Sequence, residues 1–141
     1  MCAEPDPPDR AAHPDRRPLG GELNAAVARG VVRICRSVVG RGPTKAQAFF
    51  RGDVFVVVMH ETLTRAEKSL VADGQGDAVL CLRRDLHRAM RTQLITLVQD
   101  LTGCAVTALL SADHIVPDVS TEVFVLDQPV AGEWPTRRPP P

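Results

Sequence analysis

A chain of 141 residues has the length of one domain, and its 17 Lys+Arg against 17 Asp+Glu leave no net charge. That balance provides no global field to gather nucleic acid or anionic lipid, and the aromatic signature of RNA-binding sheets is missing, so no nucleic-acid partner is expected. Cys2, Cys35, Cys81 and Cys104 form no Cys-x-x-Cys and are too sparse for a secreted disulfide framework. With no signal peptide and no run near the roughly 18 apolar residues of a membrane span, the expectation is a cytoplasmic protein without direct membrane insertion.

Of the 12 prolines, all but Pro43 and Pro117 fall in 1–18 or 127–141. Proline fixes φ and lacks an amide donor, so the ends read as extended, solvated tails and the folded unit as 19–126. A domain of that size buries roughly 60–65% of its unfolded surface, which is marginal without a further interface.

From Leu23 the residues Leu23, Val27, Val31, Ile34 and Val38 recur every three or four positions, the face of a helix, with Arg29, Arg33 and Arg36 opposite. Gly40, Gly42 and Pro43 end it. Gly30 weakens such a helix by about 1 kcal/mol unless it admits a close neighbour. Thr44–Phe50 and Val54–His60 then read as a hairpin about Arg51-Gly52-Asp53, a turn and not an adhesion motif. The run Val54-Phe55-Val56-Val57-Val58-Met59 never alternates with polar residues. It predicts a central strand covered on both faces, by helices on one side and by something apolar on the other, a requirement that a subunit partner would satisfy.

Thr64-Arg65-Ala66-Glu67 is a capping box that starts a short helix to about Ala72, and Asp73-Gly74-Gln75-Gly76 breaks it. A long helix is expected over 77–102, with Leu82, Leu86, Met90, Leu94, Leu97 and Leu101 as its apolar stripe and Gly103 as its stop. Ala105–Leu110 and Glu122–Leu126 are strand-like, joined by a polar connection over 111–121. The predicted class is α+β, in the order α-β-β-α-α-β-β, an antiparallel four-stranded sheet with helices packed on one face.

No nucleophile–base pair is marked, so no catalytic residue is assigned. His60 reads as a strand-end residue beside Glu61, and His87, among Arg84, Arg88 and Arg91, as solvent-facing. Asp113, His114 and Asp118 supply only three donors without a fixed spacing, so no metal is assigned, and no cofactor either. Arg83, Arg84, Arg88 and Arg91 read as a solvated face, and Cys35 and Cys81 as small buried thiols. The candidate anion-binding turn is Gly40–Lys45. Its glycines let backbone amides approach a ligand, Arg41 and Lys45 supply charge and Thr44 a hydroxyl, although the Walker spacing is absent.

Taken together, Gly40-Arg41-Gly42-Pro43-Thr44, Leu63-Thr64, Ala66-Glu67-Lys68, Leu70, Leu101-Thr102-Gly103 and Val123-Phe124-Val125-Leu126 resemble the MpsC-like family. Its bacterial and archaeal members are labelled after the C component of a proposed sodium-translocating, membrane-potential-generating system and were long catalogued as a domain of unknown function. The resemblance spans 23–126 and brings no catalytic residues. It implies a soluble, non-enzymatic accessory or regulatory protein linked to membrane ion or inorganic-carbon transport proteins, while the unalternated strand at 54–59 on a domain of marginal size predicts a homo-oligomer. The alternative is a small-anion or nucleotide-binding domain, with or without enzymatic activity, that uses Arg41, Thr44 and Lys45.

Overall fold

The computed structural model describes residues 17–131, so most of both proline-rich ends lies outside the described residues. Seven elements follow in the expected order: α1 (Gly20–Val39), β1 (Lys45–Arg51), β2 (Val54–His60), α2 (Arg65–Ala72), α3 (Gly76–Thr102), β3 (Val106–His114) and β4 (Val119–Leu126). The strands form one antiparallel sheet in the order β1-β2-β4-β3. The two hairpins therefore meet through β2 and β4, and the valine-rich strand is central as its composition requires.

Alternation assigns the two faces of the sheet. Phe55, Val57 and Met59 of β2 stand opposite Phe124, Glu122 and Ser120 of β4, and all six point inward. Onto this face α1 lays Leu23, Val27, Val31 and Cys35, and α3 lays Met90, Leu94 and Val98. Phe55 and Phe124 are wholly buried, each contributing about 1.5–3 kcal/mol by leaving water. The two helices come close because Gly30 has no side chain: a Cβ there would lie 2.5 Å from Leu97 Cδ1. The helical cost of this glycine is offset by a helix–helix notch. Beyond β4, the Val130 amide donates to the Gly52 carbonyl and its side chain joins the core.

Three expectations need correction. The second hairpin is longer than its apolar segments suggest: β3 reaches His114, β4 begins at Val119, and only 115–118 form the turn. Ser111 and Asp113 continue β3 because polar partners on β4 face them. The inward face of α3 also drifts from the leucine stripe, since Val79, Arg83, Met90, Leu94 and Val98 are buried while Leu82 is exposed. Finally, Cys81 is exposed, whereas Cys35 and Cys104 are buried.

The outer face of the sheet carries Val54, Val56 and Val58 from β2, and Val119, Val123 and Val125 from β4. These valines are half-buried by their neighbours alone. Phe49 on β1 and Leu110 on β3 flank them at 51% and 56% exposed. No described residue on this face is buried, and α2 packs on α3 instead of covering it.

Candidate functional site

The polar residues that the core admits form two linked charge clusters on α3, one against α2 and one against the sheet. In the first, Arg83 occupies a core position of α3, at 4% exposure, and meets Glu67 of α2, at 2%. Its Nε donates to Glu67 Oε2 at 2.6 Å, and its Nη2 donates to Oε1 at 2.8 Å and to the Thr62 carbonyl at 2.5 Å. Glu67 also completes the capping box: Oε1 accepts from the Thr64 amide while Thr64 Oγ1 accepts from the Glu67 amide. One carboxylate thus caps α2 and ties it to α3 through a bidentate guanidinium.

One turn further along α3, His87 is clamped between β3 and β4. Its Nε2 lies 2.6 Å from Asp113 Oδ2, and its Nδ1 lies 2.7 Å from Oε1 of the fully buried Glu122. The Glu122 contact is close but not aligned as a hydrogen bond, so these two atoms meet as an ion pair. Ser120 donates to Asp113 Oδ1 at 2.6 Å, and Ser111 donates to Glu122 Oε2. Burial works against a charge on the imidazole, but Asp113 and Glu122 outweigh it and push the His87 pKa up to about 9. Burial likewise works against the Asp113 carboxylate, but hydrogen bonds from His87 and Ser120 hold its pKa below the ordinary value. The cluster therefore stores a proton at neutral pH.

Asp118 connects the turn to the end of β2. Its Oδ1 accepts from the Thr62 amide and hydroxyl, each at 3.1 Å, and its Oδ2 accepts from the Leu63 amide at 3.0 Å. The Thr62 hydroxyl also lies 3.1 Å from Ser120 Oγ, which completes a polar path between the two clusters. Asp118→Ala is expected to lower stability by about 2–3 kcal/mol in urea unfolding, since one carboxylate serves two backbone amides and a hydroxyl. A loss below 0.5 kcal/mol would show that water replaces it freely.

This geometry decides what chemistry the clusters support. Both nitrogens of His87 face carboxylates, and the hydroxyls of the cluster, on Ser120 and Ser111, donate to Asp113 and Glu122 and not to the ring. The cluster holds no nucleophile–base pair. Asp113 and Glu122 grip opposite edges of the imidazole, so the three do not converge on one point, and among the described residues no His/Cys/Asp/Glu group fits a metal ion. The Cys35 thiol, 3.9 Å from Met59 Sδ, is pushed up to about 11 by burial and by the Glu122 carboxylate, with Arg83 opposing. It is a small buried thiol, as its position in the helical pattern suggested.

The residues singled out in the sequence are dispersed. Asp113 joins His87, Asp118 caps the end of β2, and the exposed His114 places Nδ1 2.8 Å from the Pro117 carbonyl, so the three do not share a site. His87 and Arg83 face the interior, against the expectation of a solvated arginine face. At the Gly40–Lys45 turn, Gly40 adopts φ 86° as the cap of α1, and Thr44 Oγ1 donates to Glu61 Oε2 at 2.9 Å. Lys45 opens β1, paired with His60 on the outer face. A carboxylate thus sits against the hydroxyl of the expected anion turn.

The buried clusters were partly visible beforehand. Arg83, His87, Met90 and Leu94 follow core spacing along α3, and Ser120, Glu122, Phe124 and Leu126 share one face by alternation. Composition hid this, because charged residues default to the surface.

A family model described as Na+-translocating membrane potential-generating system (MpsC) matches residues 20–128. No curated protein and no solved structure gives a significant match. Among the described residues, no helix is long and apolar enough to cross a membrane.

Proposed function

Because the chain belongs to the MpsC family, we propose that it is a soluble, non-enzymatic accessory or regulatory module of a membrane ion or inorganic-carbon transport system. It acts in the cytoplasm by association, and the observation that carries this reading is the uncovered apolar face of the sheet. This face bears six half-buried valines with the exposed Phe49 and Leu110, an apolar surface of the kind that marks an interaction site. A second copy of the same face is self-complementary about a two-fold axis, and packed sheets sit about 10 Å apart with interleaved side chains.

Light scattering at tens of micromolar is expected to report a dimer for the full chain. Phe49→Asp combined with Leu110→Asp should convert it to a monomer with unchanged far-UV circular dichroism, because both side chains already face solvent within one copy. A monomeric wild-type chain under these conditions would remove the physical support for self-association.

A further inference from the structure

The solvent side of α1 carries three guanidiniums that the fold does not use. Arg29, Arg33 and Arg36 are exposed at successive turns of the helix, and among the described residues none lies within salt-bridge distance of a carboxylate. Other arginines are engaged internally: Arg83 by Glu67, Arg88 by Asp85 and Arg91 by the Leu109 carbonyl. The three line an open groove of about 720 Å³ along α1, together with Pro43, Ala46, Leu97 and Leu101.

Gly42 runs alongside the end of this helix: a Cβ on it would lie 3.3 Å from Val32 Cγ1 and in ordinary contact, 3.4 Å, with Arg36 Nε. Arg36 also belongs to the last turn of α1, where the helix dipole favours positive charge. Thr44 lines the same groove with its hydroxyl already committed to Glu61. The walls are thus apolar, and the charge is gathered on the arginine side.

A groove of this volume falls in the range of small-molecule sites. Its two textures select a ligand with two parts. Guanidiniums match phosphate oxygens through a planar fork and give up water more readily than ammonium groups. Proline, alanine and leucine walls take apolar surface and offer nothing to a second polar group. We propose that this groove binds an amphipathic anion with a phosphate head on Arg29, Arg33 and Arg36 and an apolar body against the flanking walls. The site is distinct from Arg41 and Lys45, and it does not depend on the outer face of the sheet.

Titration calorimetry of the full chain with octyl phosphate tests the proposal, with inorganic phosphate, octyl glucoside and vesicles of anionic phospholipid as the other arms. Saturable binding of octyl phosphate is expected. It should weaken at least tenfold in Arg29→Gln/Arg33→Gln and stay unchanged in Arg41→Gln. Both replaced arginines are exposed, so the variant should keep the wild-type circular dichroism, which confirms that a lost signal means a lost site. Weak binding by inorganic phosphate and by octyl glucoside would support the two-part reading. Equal binding by either one, affinity unchanged in the double variant, or binding to vesicles alone would overturn it.

Discussion

Arg83→Met is expected to cost about 3–5 kcal/mol of folding stability, measured by urea unfolding at neutral pH. The substitution fills much of the same volume but strands the Glu67 carboxylate, 2% exposed, without its guanidinium, and leaves the Thr62 carbonyl without its donor. The capping box would then compete with the need to protonate or expose Glu67, so α2 should loosen first. Hydrogen exchange confined to 64–72 would report that local opening. The paired replacement Glu67→Met/Arg83→Met should recover part of the loss, because no buried charge is orphaned although the Thr64 amide and Thr62 carbonyl still lose their partners. If the single variant is as stable as the wild type, or if the double variant is no better than the single, the ion pair does not hold α2 as described.

The second large effect concerns pH. His87 rises from an ordinary 6.5 to about 9 on folding, so its proton stabilises the fold fully below pH 6.5, and this contribution is lost as pH rises through 9. The expected loss between those limits is on the order of 2–3 kcal/mol. Asp113 works in the opposite sense: its lowered pKa contributes stability above 3.8 that disappears as pH falls further. Stability should therefore be greatest between pH 3.8 and 6.5. His87→Gln removes the charge that separates Asp113 from Glu122, so the variant should be less stable at pH 6.5 and nearly flat from 6.5 to 9. Parallel pH–stability curves for wild type and variant would show that another group carries the titration.

Structurally, the two clusters do related work. Each pins a helix of the upper layer to an element beneath or beside it, α2 to α3 through Glu67 and α3 to β3 and β4 through His87. Buried charge is a costly way to gain stability, but it is intolerant of misalignment. A one-residue slip of β3 against β4 would send Ser111 and Asp113 to the apolar outer face. The register of the second hairpin is thereby set by polar contacts where the first relies on apolar ones.

The order and class of the elements were legible in the chain because their signals are local. The Leu23–Val38 spacing, the Gly40 and Gly103 stops, the capping box at Thr64 and the valine-rich run depend on residues within one or two turns of each other. The central place of β2 followed from its lack of a polar side. Family membership was readable for a similar reason, since its short motifs lie in unbroken spacing over the folded unit.

What the chain could not disclose alone depends on partners distant in sequence. His87 looked solvated among arginines, and Ser111–Thr121 looked like a loop, because the carboxylates and hydroxyls that make such residues tolerable inside arrive only when α3 crosses the β3–β4 hairpin. A charged side chain has no fixed preference for interior or surface; its place is set by whether the fold supplies a counter-charge within hydrogen-bond distance. Hydrophobic periodicity determined the layers of this protein, while tertiary structure alone decided which of its charges lie inside them.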